Sequence, residues 1–157
     1  MGKELLALVA RRNPAQHIAL IGIHTGGAWL AERLHPMLGL SSPPGALNIH
    51  FHRDDFNRIG MHPRVQPSHL PFEVDGSLII LVDDVLYSGR TVRAALNEIF
   101  DYGRPAAVRL AVLVDRCGRE LPIAADVVGV RIELKPADQV KLLGPSPLEL
   151  SIKRGHT

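Results

Sequence analysis

An α/β domain with a mostly parallel central sheet flanked by helices is the fold this sequence predicts. Strand-like and helix-like segments alternate along the chain. Three of the strand segments, HIALIGI, SLIILV and AVRLAVLV, are apolar at nearly every position, as strands covered on both faces must be. The 157 residues suit a single domain, spanning 1–157, with a full core of its own.

The elements follow in order. Gly2 to Arg12 carries Leu5, Leu8 and Val9 at helical spacing and stops at Asn13-Pro14. His17 to Ile23 is a strand. HTGG follows, then a helix over Ala28–Leu38 that Pro36 is expected to disturb. SSPPG is a surface turn, and Leu47–His52 alternates like a strand with one buried face. Arg53 to Gly76 holds Gly60, Pro63, Pro67 and Pro71 with no sustained period, the mark of a lid or binding loop. Ser77–Val82 is the next strand. The helix beginning at Thr91 presents Val92, Ala95, Leu96, Ile99 and Phe100 on one face and is closed by Gly103. Ala107–Val114 is a further buried strand. Short β segments near Asp126–Arg131, Val140–Leu143 and Leu148–Lys153 form a small C-terminal β region.

Composition narrows the function classes. Net charge is +2, so no basic tail is announced, although a local patch can still bind phosphates. A lone cysteine, Cys117, makes no internal disulfide and fits a reducing compartment. The N-terminus is too short and polar for a secretory signal, and no apolar run spans a bilayer, so a cytoplasmic protein with no membrane partner is expected.

The chemistry concentrates in LIILVDDVLYSGRT. Asp83 and Asp84 stand at the carboxyl end of a buried strand, where ligands of open parallel sheets bind. The turn Tyr87-Ser88-Gly89-Arg90 and Thr91 then opens a helix. Unpaired amides and the helix dipole favour an anion there, Gly89 allows close approach, and the hydroxyls of Ser88 and Thr91 donate. The pattern is a monophosphate cradle preceded by two carboxylates that can accept hydrogen bonds from ribose hydroxyls. A helix cap accounts for one aspartate but not for the pair with SGRT. A phospho-acceptor pocket needs an N-terminal acid pair and a later lysine, and neither is evident. HTGG is a second strand-to-helix turn able to hold an anion through Thr25, Gly26 and Gly27. HFHRDD begins like a dinuclear metal site but lacks downstream histidines at loop ends.

VDDVLYSGRTVRAA resembles the 5-phosphoribosyl-1-pyrophosphate (PRPP) signature of type I phosphoribosyltransferases, in the form found in the PyrR family of pyrimidine-operon attenuation regulators that are also uracil phosphoribosyltransferases. LIGIHTGGAWLAERL, ALNIHFHRDDF, LPFEVDGSLIILVDD and DRCGRELPIAADVVG resemble further family stretches. The resemblance implies the type I phosphoribosyltransferase fold with a flexible lid and a small hood. It implies conversion of uracil and PRPP to UMP and pyrophosphate, with Mg²⁺ carried by the substrate rather than by dedicated protein ligands. Asp83, Asp84 and Arg53 would be catalytic, and Tyr87, Ser88, Gly89, Arg90 and Thr91 would bind the 5-phosphate. Thr25, Gly26, Gly27 and Arg53 would take pyrophosphate. Val128, Gly129 and Arg116 would take uracil.

RNA binding is implied for Arg11, Arg12, Arg119 and Arg131, and a homo-oligomer, dimer or tetramer, is implied as well. The chain departs from the family pattern at Gly26, where an arginine is usual, and at Ala124 and Val130, where cations are common. Each lost cation weakens a phosphate contact. The losses at Ala124 and Val130 count against attenuation by RNA binding. The alternative expectation is a non-catalytic, UMP- or PRPP-sensing, RNA-binding attenuation regulator; the third, motivated by Gly26, is a nucleotide-responsive protein that partners another protein and has lost catalysis.

Overall fold

The computed structural model describes residues 1–49 and 67–156. It contains α1 (Gly2–Ala10), β1 (Ile18–Ile23), α2 (Gly26–Leu38), β2 (Gly45–Leu47), β3 (Leu78–Leu86), α3 (Arg90–Tyr102), β4 (Ala107–Arg116), β5 (Val127–Ile132), β6 (Gln139–Leu143) and β7 (Glu149–Lys153). Five strands form one parallel sheet in the order β2-β1-β3-β4-β5, and β6 pairs antiparallel with β7 in a separate two-stranded sheet. The expected α/β class, the parallel sheet and the small C-terminal β region are all present.

The two apolar faces of the sheet feed two cores. Ile79 and Leu81 pack with Val92, Ala95 and Ile99 of α3, while Ile80 and Val82 pack with Leu5 of α1 and Leu30 and Leu34 of α2. Neighbouring strand residues point to opposite faces, so a strand coated on both sides must be apolar throughout, as β1 is. Among the described residues no helix is long and apolar enough to cross a membrane.

Several boundaries differ from expectation. α2 starts two residues early, at Gly26, and runs through Pro36 without ending there. β3 continues four residues past Val82 because its pairing with β4 persists to Leu86↔Asp115. Asp83 and Asp84 therefore lie inside the strand rather than beyond it. On α3, Ala94 is buried and Phe100 is 56% exposed, so the buried stripe is rotated from the expected one. Gly103 does follow α3, but in extended backbone; a Cβ there would stand 2.7 Å from Asp75 Oδ1.

Order reverses at β1: the chain steps to β2 on one side, and β3 lies on the other. Such a switch point opens a crevice between the carboxyl ends of the two strands. The loops leaving β1 and β3 are the two predicted anion cradles.

The C-terminal sheet is anchored through Asp138, which is 2% exposed. Its carboxylate accepts the amides of Gly155 (3.0 Å) and Lys135 (3.2 Å) and pairs with Arg154 (3.0 Å). The Gly155 amide first, then the Arg154 guanidinium and the Lys135 amide, hold this carboxyl below the usual aspartate range against the opposing effect of burial. A lowered folded-state pKa gives stability that is present above the unfolded value, about 3.9, and lost as pH falls through the folded one. Acid titration should therefore release the segment after Asp138 below about pH 4, and Asp138→Asn should flatten that transition, as read by amide exchange of Arg154 and Gly155.

Candidate active site

Both helices that open onto the crevice start without a side-chain cap and without an acidic residue in the first turn. Helix starts normally draw both. Here the Arg90 amide of α3 bonds Ser88 Oγ (3.2 Å) and the start of α2 lies against the Asp84 carboxylate, while the other first-turn amides suit an anionic ligand at each.

The β3 loop is built for close approach. Gly89 caps α3 at φ +94°, a left-handed conformation that other residues adopt only under strain. Ser88 Oγ accepts the Arg90 amide at 3.2 Å. The Ser88 carbonyl accepts the amides of Glu120 (2.9 Å) and Leu121 (3.1 Å), and the Tyr87 carbonyl accepts from Arg119. Arg90 Nε bonds Glu120 Oε2 at 2.7 Å on the surface. The segment after β4 thus folds over the Tyr87–Gly89 turn and fixes it. Gly89→Ala is expected to weaken UMP binding about tenfold, since a non-glycine residue held left-handed costs about 1–2 kcal/mol; calorimetry checks it.

The start of α2 presses against β3 itself. A Cβ on Gly27 would meet the Val82 carbonyl oxygen and approach Asp83 Cα to 3.1 Å, and one on Gly26 would stand 2.8 Å from Asp84 Cγ. The absence of a side chain at 26 lets the Asp84 carboxylate lie against the start of α2. The His24–Thr25 peptide is cis.

The acid pair is split by the alternation of the strand. Asp83 is 4% exposed, and its Oδ1 accepts the Asp84 amide at 2.9 Å. Asp84 is half-buried at the crevice, and its Oδ1 accepts the Val85 amide at 2.9 Å. Asp83, Val112 and Val128 form one row across β3, β4 and β5, so Val128-Gly129 sits level with the acids, about 10 Å across the sheet.

Other expected residues are placed differently. Arg53 lies outside the described residues, as does most of the expected lid. The chain reaches that segment from the crevice edge, where the His24 amide bonds the Leu47 carbonyl (2.9 Å), and it returns through the Ala46–His69 bridge. Arg116, expected to meet uracil, is 5% exposed. Its guanidinium donates to the carbonyls of Asp138 (2.8 Å) and Lys135 (3.1 Å) and lies 4.1 Å over the Tyr87 ring.

The four expected RNA-binding arginines fall into two pairs. Arg119 and Arg131 share Asp115 at the carboxyl edge, at 2.6 and 3.8 Å. Arg11 and Arg12 line a hollow of about 640 Å³ at the opposite edge, with Arg109 and Asp126. The length of β4, about 30 Å, separates the two pairs. Nothing in the local sequence announced the brace formed by Arg116, Asp138 and the Glu120–Leu121 amides, because its members are brought together only by the fold.

A parallel sheet with two amide-lined loops at its switch point, one following an aspartate pair, defines a phosphoribosyltransferase-class domain. Residues 3–148 match the phosphoribosyl transferase domain family, and the chain belongs to it. Within that class the chain belongs to the PyrR family. It is 69% identical over 137 residues to "Bifunctional protein PyrR" of Nitrosococcus oceani, covering 86% of this chain and 77% of that protein. It is 54% identical over 153 residues to the protein of the same name from Pseudomonas aeruginosa, covering 98% and 89%.

Solved structures share the fold. A hypoxanthine-guanine phosphoribosyltransferase of Bacillus anthracis superposes with a TM-score of 0.66 at 20% identity, over 87% of this chain and 78% of that one. A hypoxanthine phosphoribosyltransferase of Staphylococcus aureus gives 0.61 at 16%, over 83% and 70%.

Proposed function

We propose that the chain is a uracil phosphoribosyltransferase acting as one domain: uracil and PRPP give UMP and pyrophosphate. One observation carries this reading: two helix starts follow the neighbouring strands β1 and β3 at the switch point of the sheet, and the Asp84 carboxylate lies against the first of them. That order of groups suits a ligand with a phosphate at each end and a hydroxyl-bearing ring between.

In the reaction, uracil N1 bonds to ribose C1 as the bond from C1 to the pyrophosphate oxygen breaks, and the N1 proton leaves. Positive charge builds on the ring and negative charge on the departing oxygen. The amides of Gly26 and Gly27 stabilise the latter, with Arg53 as their cationic partner. The loop from Tyr87 to Thr91 holds the 5-phosphate, and Asp84, backed by Asp83, accepts the ribose hydroxyls. Val128-Gly129 receives the base. Fixing both reactants converts much of a bimolecular barrier into binding.

Among the described residues no three carboxylate, histidine or cysteine side chains converge as a metal site. Mg²⁺ would enter this crevice with PRPP, and the half-buried Asp84 carboxylate is the hard oxygen group that would face it. When bound, it neutralises charge on the pyrophosphate. Release of pyrophosphate from PRPP should require both uracil and Mg²⁺; base-independent release, or none, would refute the reading.

A second role, nucleotide-dependent binding of pyrimidine leader RNA by a homo-oligomer, draws on the word "bifunctional" in the relatives' name and on the basic hollow at the opposite edge. Filter binding at two salt concentrations tests it: an affinity that falls steeply with salt supports it, and no retained RNA contradicts it.

A further inference from the structure

Arg116 is a buried cation that no described carboxylate pairs with. Its two terminal nitrogens bond main-chain carbonyls, its plane covers an aromatic ring, and its Nε is buried without a partner. Burying such a charge is costly, and apolar replacements of similar size are often neutral or stabilising. Stability alone is a poor reason for it. The contacts on either side give a better one. Tyr87, under the guanidinium, is the first residue of the β3 turn, and Gly118 packs on the same ring. Asp138, whose carbonyl Arg116 holds, is itself fastened by Arg154 and the Gly155 amide. The Cys117 thiol adds a bond to the Leu134 carbonyl (3.2 Å) at the same junction. A continuous series of contacts therefore runs from the C-terminal residues to the turn at the β3 end of the crevice.

We propose that Arg116 is a positioning residue for the 5-phosphate loop: stacked on Tyr87 and fastened to the Lys135–Asp138 turn, it makes the shape of that loop depend on the anchoring of the C-terminal segment. This rests on the phosphoribosyl reading of the site. The planar fork bonds two carbonyls and stacks at once, which lysine cannot do. The β1 loop lies outside this series, so the two ends of the crevice should respond differently when the brace is cut.

The test is calorimetry with two probes on the full chain, UMP for the 5-phosphate end and inorganic pyrophosphate for the β1 end. Arg116→Met keeps the stem and removes the fork and the charge. It should weaken UMP about tenfold while pyrophosphate stays within about twofold. Arg154→Met, at a side chain 72% exposed, should weaken UMP about threefold with the same selectivity. Should Arg116→Met fail to fold, Arg154→Met decides by the same ratio of the two affinities. Unchanged UMP affinity in the variants, or a parallel loss of both ligands, overturns the inference while the phosphoribosyl reading stands. A native protein that binds neither probe overturns both.

Discussion

Asp84→Asn lowers kcat/KM for PRPP about 100-fold and leaves the fold intact. The substitution is nearly isosteric at a half-buried position, and the amide oxygen can still accept the Val85 N–H. What disappears is the charge facing the crevice. A hydrogen bond to a charged group contributes about 1.5–3 kcal/mol, equivalent to roughly 10- to 150-fold, and the ribose ring is where positive charge gathers in the transition state. The loss should fall on kcat as well as on KM, since an interaction that strengthens in the transition state lowers both kcat and kcat/KM. Asp83→Ala behaves differently. It strips the acceptor from the Asp84 amide in a site only 4% exposed, so stability drops by about 1–3 kcal/mol along with activity. Initial rates and thermal melts on the two variants separate a residue that faces substrate from one that supports it.

Gly27→Ala abolishes turnover and destabilises the domain by about 3 kcal/mol. The added methyl has no room to relax: its neighbours are the Val82 carbonyl and the Asp83 α-carbon, main-chain atoms of the central strand of the sheet. Accommodation means pushing the start of α2 away from β3, which opens the crevice and misaligns both anion cradles. Displacements of about 1 Å at reacting groups cost around 100-fold in rate. Denaturant unfolding and PRPP turnover should therefore fail together, whereas Gly89→Ala should cost the fold only about 1–2 kcal/mol and act chiefly on phosphate affinity.

Much of this was legible in the order of residues. The buried strands identify themselves because a strand coated on both faces has no polar positions to hide. The crevice followed from the same logic: acids and small residues directly after an apolar strand, then a helix. Boundaries were harder. The aspartates suggested that β3 ends at Val82, because acidic residues are poor strand formers, yet its partner β4 continues pairing to Asp115. The glycines of HTGG suggested a loop before α2, but they form its first turn, since tight contact with β3 outweighs their weak helix propensity.

The protein contacts of Arg116 were not legible in the sequence. A cation following a strand end looks like a ligand contact, and only the fold brings Tyr87, Lys135 and Asp138 around it. Gly26 gains a meaning as well. Its lack of a side chain makes space for the Asp84 carboxylate, so the absence of the usual arginine does not by itself imply an idle site.

The central claim is that the turn after β3 grips a sugar phosphate. Backbone amide resonances recorded during a UMP titration test it directly. The largest shifts are predicted at Ser88, Gly89, Arg90 and Thr91, with smaller ones at Gly26 and Gly27. Silence at those amides, or shifts confined to Arg11–Gln16 on the far edge of the sheet, would contradict it.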